Sequence, residues 1–535
     1  MTRKSLLLLA AAVLAAQAHA ANDALFDGSG APAAAFSLPS LKDLFGRRPS
    51  TPQDELKRAT GGDANAAVNL SDAALAQATS DQKIAMLKTL IRASNPQRGN
   101  DGNGDPDQMP REQAILRLLR SSNTDAASFD RVYYRIDPTN LNRALSDPQP
   151  VYDMVERNRS SVTPGDWAGL DSYIDKVADT KSSGKNTVEF LIDSSVIAPA
   201  MTVLENAKKS IHLEVFQYQA DEYGWTVAKL LADKAQHGVH VRLMLDANGS
   251  EVFTNDEIKK VISFLGTNGV QVIVKRLPLD QSHLDHRKVL VVDGDTAFTG
   301  GMNIGLSYQK DWHDQQTLIM GPAVTALQSA FMERWHAAGG TVPDSEIPDL
   351  YPPLRDQPGG VETRVVAHEG DAKDQNIRAM YLRAIGTAQT SIRIANPYFM
   401  DAAIVAELIR ASTKRHVKVQ VVLPEDNDQA LVQRGSRAYY PDLIKAGIEV
   451  YEYEGRMAHE KVAVFDSRWS TFGSSNLDAR SLRYNDELNL AVSDPGVARY
   501  IEANLFDQDL KRSKRILQYT PTLRERLDRS LEDVL

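Results

Sequence analysis

One arrangement of polar residues occurs twice in this sequence of 535 residues, with the same intervals each time. The first copy reads HRKVLVVDGDTAFTGGMNIG and the second reads HEKVAVFDSRWSTFGSSNLD, and both contain the spacing H-x-K-x4-D. The matched positions of the first copy are His286, Lys288, Asp293, Asn303 and Asp314. Their counterparts in the second copy are His459, Lys461, Asp466, Asn476 and Glu487. Agreement at five polar positions predicts a duplicated unit with one chemical task.

The secondary-structure pattern around the two motifs is repeated as well. From about residue 186, β-rich runs such as SIHLEVF, VHVRLML and KVLVVD alternate with amphipathic helices. Residues 210–213 are echoed by 391–394, and residues 269–272 by 447–450, at offsets close to that of the motifs. Near-continuous apolar strands between helices are typical of an α/β sheet covered on both faces. We therefore predict two repeated α/β domains, at residues 186–350 and 360–515, that pack about a pseudo-twofold axis.

The spacing within each motif suits the binding of an anionic group. Side chains alternate faces along a strand, so a His and a Lys two residues apart point the same way. The glycine that follows permits close approach of the backbone, the Asn adds a neutral donor, and the later carboxylate can hold one ring nitrogen of a histidine. Two copies supply two histidines, one for attack and one for protonation, which is the minimal set for a two-step displacement at phosphorus.

These motifs resemble the phospholipase D superfamily, whose duplicated H-x-K-x4-D signature is matched twice. Within that superfamily, GGMNIG followed by WHD, and GSSNLDARSLRYNDELN, look most like bacterial cardiolipin synthases. The resemblance covers about residues 186–515. It implies phospholipase D-like α/β sandwich domains, a phospholipid substrate, an alcohol or water acceptor, a phosphohistidine intermediate, no cofactor and no metal. Since both motifs lie in one chain, it also implies activity as a monomer.

The resemblance also implies a role for each matched residue. His286 would be the nucleophile and His459 the general acid. The phosphate oxygens would be held by Lys288, Lys461, Asn303 and Asn476. The motif aspartates Asp293 and Asp466 would be structural and face away from the phosphate. Asp314 stands where the second copy has Glu487, so the two halves are not equivalent.

The N-terminal third of the chain carries different signals. Residues 1–20 have two cations, an apolar run and Ala18-His19-Ala20, the pattern of a cleaved secretory signal peptide, whereas cardiolipin synthases commonly begin with membrane-spanning helices. We therefore expect a periplasmic or secreted protein. Residues 21–70 are predicted to be a flexible leader, and residues 71–185 a helical region of unknown role. Within it, residues 101–112 are spaced like a calcium loop, but Pro106 stands where a turn-forming glycine is needed.

Charge separates the alternative functions. The formal net charge is −9, and residues 1–20 contribute two of the cations, so the mature chain would be more acidic still. An acidic chain is a poor match for nucleic acid, which makes a periplasmic nuclease with the same mechanism the second interpretation. A non-catalytic lipid-binding protein on this fold is the third. The intact His, Lys and Asn of both copies argue against it.

Several single features leave alternatives open. Ser282 to His286 could be a metal cluster, but strand alternation and Lys288 argue against a cation there. His313 is more consistent with a packed surface histidine than with a pocket residue. The aromatic pairs 398–399 and 439–440 suit either an acyl-chain path or the core. The C-terminal residues 516–535 are predicted to form a basic amphipathic tail, which either packs on the second domain or contacts anionic lipid at a membrane surface.

Overall fold

The computed structural model describes residues 51–61, 64–78, 82, 86, 162–275, 284–370 and 375–529. The chain divides into two compact units, residues 1–135 and residues 136–535. The predicted signal peptide, the calcium-like loop 101–112 and His283 lie outside the described residues. No helix among the described residues has both the length and the apolar character needed to cross a bilayer.

The first unit contains short helices where the sequence predicts a flexible leader. They are α1 (Pro52–Thr60), α2 (Ala64–Val68) and α3 (Asp72–Gln77). Helix α1 begins with a capping box, because the Thr51 hydroxyl accepts from the Asp54 amide while the Asp54 carboxylate accepts from the Thr51 amide. Leu56 and Ala59 are buried in a small core with residues of α2 and α3. The prediction of a flexible leader through residue 70 is therefore wrong for residues 52–60 and 64–68, since local capping and a small apolar cluster suffice to order them.

In the described part of the second unit, α4 (Trp167–Val177) precedes the first repeat. The strands of this repeat are β1 (Ser183–Ile192), β2 (Ser210–Val215), β3 (His240–Asp246), β4 (Gln271–Lys275), β5 (Val289–Val292), β6 (Thr296–Gly300), β7 (Trp312–His313) and β8 (Gln315–Met320). Its helices are α5 (Ile197–Asn206), α6 (Glu222–Gln236), α7 (Asp256–Thr267), α8 (Ser307–Lys310), α9 (Ala323–Ala337) and α10 (Ile347–Leu350). Short 3₁₀ turns lie at Asp193–Val196 and Asp344–Glu346.

The second repeat follows the same order. Its strands are β9 (Val361–His368), β10 (Ser391–Ala395), β11 (Phe399–Met400), β12 (Lys418–Pro424), β13 (Glu449–Tyr453), β14 (Met457–Ala458), β15 (Val462–Phe465), β16 (Trp469–Gly473), β17 (Leu477–Asp478), β18 (Glu487–Val492) and β19 (Ser513–Ile516). Its helices are α11 (Asn376–Thr387), α12 (Ala402–Arg415), α13 (Ala430–Arg437), α14 (Tyr440–Lys445), α15 (Ala479–Arg483), α16 (Pro495–Ile501), α17 (Asp507–Asp509) and α18 (Leu523–Arg529). A π-helical turn spans Glu502–Phe506, and a 3₁₀ turn spans Leu510–Arg512.

A single 15-stranded sheet runs through both repeats. Its order is β19-β13-β12-β10-β15-β16-β18-β9-β1-β8-β6-β5-β2-β3-β4. The central pair, β1 and β9, is antiparallel, and the next six strands outward in one repeat correspond to the next six in the other, while β19 at one edge has no counterpart. An antiparallel pair at the centre of two identical strand orders is the signature of a pseudo-twofold axis. The predicted α/β fold of two repeats is thus confirmed, with the refinement that the repeats share one sheet.

The sheet is covered by helices on both faces, as its apolar strands require. All four residues of β5 and of β15 are buried. A shared core joins the two repeats, and in it the rings of Phe190 and Phe472 meet edge to face at 5.3 Å. Helix α4 packs into the core of the second repeat, where Trp167 stacks with Trp469 at 6.4 Å. Part of the region 71–185 therefore has a structural role.

The C-terminal helix α18 packs on the second repeat. Asp528 forms an ion pair with Arg434 of α13, and Arg529 forms one with Asp442 of α14 at 2.8 Å. The Arg529 guanidinium also lies over the ring of Tyr439, 3.9 Å from its centroid. Of the two alternatives for the tail, these contacts favour packing against the domain.

Candidate active site

Both H-x-K motifs lie at the same end of their strands. Lys288 immediately precedes β5, whose Val289 pairs with Glu214 at the carboxyl end of β2. The equivalent strand β15 follows Lys461 and pairs with β10 in the same way. Carboxyl ends of parallel strands at a shared edge are where α/β sheets place ligands. Both motifs therefore lie beside the interface between the two repeats.

The two repeats exchange backbone hydrogen bonds at this edge. The His286 amide donates to the carbonyl of Asp486 at 2.9 Å, and Asp285 forms a parallel bridge with Asp486. In the equivalent arrangement of the other repeat, the His459 amide donates to the carbonyl of His313 at 2.7 Å, and β14 pairs with β7. The residue that binds each histidine's amide immediately precedes a carboxylate of the other repeat: Asp486 precedes Glu487, and His313 precedes Asp314.

This exchange pairs each histidine with a carboxylate of the other repeat. Nδ1 of His286 lies 3.0 and 3.1 Å from the two carboxylate oxygens of Glu487. Nδ1 of His459 lies 2.7 Å from Oδ2 of Asp314. With Nδ1 engaged by a carboxylate, Nε2 is the ring nitrogen left for chemistry in each histidine. The motifs predicted that the carboxylates hold the histidines, but sequence alone does not reveal the crossed pairing.

The two carboxylates are themselves held differently. Glu487 accepts hydrogen bonds from the hydroxyls of Ser474 and Ser481, the latter at 2.7 Å. Asp314 accepts from the amide of Gln315 at 2.8 Å. At the position equivalent to Ser474 the first repeat has Gly301, where a Cβ atom would lie 2.1 Å from Oδ1 of Asp314. Any side chain at position 301 would therefore collide with the Asp314 carboxylate where it now lies.

Both lysines are buried beside their histidines. Nζ of Lys288 donates to the carbonyl of His286 at 2.6 Å, and Nζ of Lys461 donates to the carbonyl of His459. Burial is the main cause that lowers the pKa of Lys288 to about 7 and that of Lys461 to about 8. An anionic phosphate beside them would favour their charged forms.

The site also perturbs the histidines and Glu487. Burial, then the charge of Lys288, lowers the pKa of His286 well below its usual value. Burial and Lys461 also lower the pKa of His459, but the Asp314 carboxylate opposes them. Burial raises the pKa of Glu487 to about 8. The two imidazoles consequently differ in how readily they hold a proton.

The two asparagines differ in their hydrogen bonds to other residues of the protein. Oδ1 of Asn303 accepts from the Gln217 amide at 2.9 Å, and Nδ2 donates to the Tyr308 hydroxyl at 2.7 Å. Asn476 is buried too, and no described residue donates to its Oδ1. Both follow the β-strand that pairs with the motif strand.

Asp293 and Asp466 lie at the opposite end of the motif strands. Asp293 accepts from the amides of Lys208, Lys209 and Ser210 at 2.7 to 3.1 Å. Asp466 makes the equivalent bonds to the amides of residues 389–391. Four strand residues lie between Lys288 and Asp293, so the two are roughly 16 Å apart along the extended chain. The predicted structural position, away from the phosphate site, agrees with this geometry.

Several aromatic residues around the histidines were not singled out by the motifs. Phe216 contacts His286 with ring centroids 4.8 Å apart, and Trp312 contacts His459 at 4.5 Å. Tyr308 lies against both Trp312 and His459. Of these aromatic residues, only Trp312 was indicated by the sequence, because it lies two residues before Asp314. Among the aromatic pairs left open above, Phe399, Tyr439 and Tyr440 are fully buried in the core of the second repeat.

His313 is not a surface residue, which corrects the sequence-based interpretation. Its Nδ1 lies 2.9 Å from Asp193, and its Nε2 lies 3.0 Å from Asp509. Burial would lower its pKa, but Glu460 and these two carboxylates raise the pKa of His313 to about 12. Both ring nitrogens are therefore occupied by carboxylates, and the residue acts as a buried cation whose carbonyl positions His459.

Comparison with known proteins points to one family. The family model for "Cardiolipin synthase, PLD-like domain" matches residues 201–335 and 381–510, so both repeats are included. The chain is 30% identical over 360 residues to a probable cardiolipin synthase, YwiE, of Bacillus subtilis, a match that covers 64% of this chain and 70% of that protein. It is 35% identical over 299 residues to a cardiolipin synthase of Geobacillus thermodenitrificans, covering 54% and 58% of the two chains.

A solved structure shows the same fold. The phosphatidylserine synthase of Haemophilus influenzae superposes with a TM-score of 0.54 and 13% sequence identity. The superposition covers 68% of this chain and 100% of that one.

Proposed function

Because this chain is an enzyme of the cardiolipin synthase family, with its two phospholipase D-like domains, we propose that it transfers a phosphatidyl group from a phospholipid to an alcohol or to water. The observation that carries this proposal is the pair of buried histidines, each held at Nδ1 by a carboxylate of the opposite repeat. Two oriented imidazoles and two lysines in one water-poor site match the needs of a double displacement at phosphorus.

In the first step, Nε2 of His286 attacks the phosphorus. A nitrogen–phosphorus bond forms, and the bond from phosphorus to the head-group oxygen breaks with its electron pair. His459 donates its Nε2 proton to that oxygen, so the head group leaves as an alcohol. Glu487 holds the Nδ1 proton of His286 and stabilises the charge that the ring gains.

In the second step, His459 acts as the base. It removes the proton of the incoming alcohol or water, whose oxygen attacks the phosphorus of the phosphohistidine. The nitrogen–phosphorus bond breaks, and neutral His286 and protonated His459 are restored. Lys288 and Lys461 stabilise the charge on the phosphate oxygens in both steps, which is the task a metal ion performs in other phosphoryl-transfer sites.

The electrostatics support this division of roles. A nucleophile must be neutral, and the pKa of His286 is lowered far below the usual value. A general acid must hold a proton; burial and Lys461 lower the pKa of His459 as well, but the Asp314 carboxylate opposes that shift. The order taken from the resemblance, His286 before His459, is therefore the order that the surrounding charges favour.

A lipid assay combined with covalent trapping tests the proposal. The protein is incubated with phosphatidylglycerol vesicles, with and without added alcohol, and the lipids are analysed. His286→Ala should abolish turnover and labelling. His459→Ala should still be labelled by a substrate with a p-nitrophenol leaving group, and its adduct should persist. Labelling of His459 in the wild type would mean that the roles are exchanged, and rapid nicking of plasmid DNA without lipid turnover would favour the nuclease.

We also propose that the protein is exported. The support is the N-terminal pattern of two cations, an apolar run and Ala18-His19-Ala20. N-terminal sequencing of the protein from cells should give Ala21 as the first residue. Retention of Met1 in a cytoplasmic fraction would overturn export and would leave the catalytic proposal untouched.

A further inference from the structure

A largely apolar cavity adjoins the phosphate-binding side chains of the first repeat. It lies between α5 and the sheet, and the volume open to the centre of a water-sized sphere is about 70 Å³. Lys288 and Asn303 form part of its wall. The apolar wall includes Ile197, Ala200, Leu290, Phe298, Met302 and Ile304. Met302 and Ile304 are partly exposed, so the cavity can be entered from solvent.

The second repeat has the same architecture at this place but carries a larger side chain. Ala200 lies ten residues before Ser210, at the start of β2, and Tyr381 lies ten residues before Ser391, at the start of β10. Tyr381 is completely buried close to Asn489, the counterpart of the cavity residue Gln316. The large side chain of Tyr381 thus occupies, in the second repeat, the position that leaves space beside the small Ala200 in the first.

A second substitution between the repeats acts in the same direction. Three residues earlier, the first repeat has Ile197 and the second has Arg378. Arg378 is fully buried and forms an ion pair with Asp401 at 2.9 Å. The first repeat therefore presents an apolar side chain where the second presents a buried ion pair. Both differences make the cavity larger and more apolar on the side of His286.

We propose that this cavity binds one fatty acyl chain of the phospholipid whose phosphate is held by Lys288 and Asn303. The proposal rests on the proposed function and names the part of the substrate that the first repeat recognises. An apolar wall that ends at a lysine and an asparagine matches a ligand with an apolar chain next to a phosphate. Because Tyr381 occupies the equivalent position in the second repeat, only the first repeat would bind the acyl chain. The substrate would then bind the duplicated site in a single orientation.

The energetics give a measurable dependence on chain length. Each methylene moved from water into an apolar cavity contributes about 0.8 kcal/mol, which corresponds to about a fourfold gain in affinity. With short-chain phosphatidylglycerols kept below their aggregation threshold, kcat/KM of the wild type should rise two- to fourfold for each added methylene. The rise should end when the chain reaches the end of the cavity.

The deciding variant is Ala200→Tyr, which copies the residue of the second repeat. It should flatten the chain-length dependence and reduce kcat/KM for the longest monomeric lipid at least tenfold. Hydrolysis of bis(p-nitrophenyl) phosphate, which has no acyl chain, should change less than threefold. Ala200→Leu fills less of the cavity and should end the rise at a shorter chain, which keeps the test decisive if the tyrosine variant is unstable.

Ala198→Tyr is the matched control, because Ala198 lies on the same helix and is exposed. It should leave the chain-length dependence intact. If folded Ala200→Tyr keeps the wild-type dependence, or loses both substrates equally, the acyl chain does not bind here. A wild type that turns over no phospholipid at all would instead overturn the proposed function, so the two failures are distinguishable.

Discussion

Asp314→Asn is the change that most directly tests the crossed pairing of the repeats. Asp314 belongs to the first repeat but lies 2.7 Å from Nδ1 of His459 in the second. A buried hydrogen bond to a charged group contributes about 1.5–3 kcal/mol, so its loss should slow protonation of the leaving group roughly 10- to 150-fold. The full effect should appear with phospholipid, whose leaving group is a poor alkoxide. With a p-nitrophenyl ester it should be less than threefold, because that leaving group needs little protonation.

Glu487→Gln is the matched change on the other side. It weakens the hold on His286, so it should slow attack on both substrates by similar factors. Stopped-flow measurement of p-nitrophenol release and lipid product analysis give the two rates. Asp314 also raises the pKa of His459, so Asp314→Asn should move the alkaline fall in lipid turnover to lower pH. If Asp314→Asn slows both substrates equally while Glu487→Gln shows the leaving-group dependence, the crossed assignment is wrong.

Three further predictions follow from the same geometry. Gly301→Ser should displace Asp314 and lower lipid kcat/KM more than tenfold, whereas Ser474→Gly, which removes one hydroxyl from Glu487, should cost about fivefold. His313→Gln should lower the free energy of unfolding at pH 7, and the deficit should shrink toward pH 10. The reason is that a group with its pKa raised to about 12 stabilises fully below its unfolded value and loses that contribution as pH rises. Activity should persist in excess chelator, and loss that is restored by added zinc or calcium would contradict lysine-based charge stabilisation.

The sequence was sufficient to predict the fold because the duplication made each repeat a check on the other. Strand and helix runs at nearly constant offsets defined the two α/β repeats, and the sheet order shows them to be equivalent about β1 and β9. What sequence periodicity cannot show is that β1 and β9 pair with each other, since that contact joins residues about 175 positions apart. The helices at 52–60 and 64–68 are too short to display periodicity, and the first of them is supported by a capping box.

The candidate site was predicted in composition but not in connectivity. The histidines, the lysines, Asp314 and Glu487 lie together at one end of the motif strands, whereas Asp293 and Asp466 lie at the other end. The crossed carboxylates depend on how the repeats pack, and no spacing within one repeat encodes that. His313 was misjudged because its partners, Asp193 and Asp509, lie 120 and 196 residues away.

The departures from twofold symmetry around the two histidines and beside Lys288 give equivalent positions of the two repeats different properties. Glu487 with two serine donors holds one histidine, and Asp314 against Gly301 holds the other. A symmetric site would give both imidazoles the same proton affinity, and a double displacement needs one neutral and one protonated ring at the same pH. The open cavity beside Lys288 differs from its filled counterpart in the same sense, since it orients a substrate that a symmetric site would bind in either direction. In the proposed mechanism, the duplication supplies two histidines with their lysines, and the unequal substitutions give each histidine a different step.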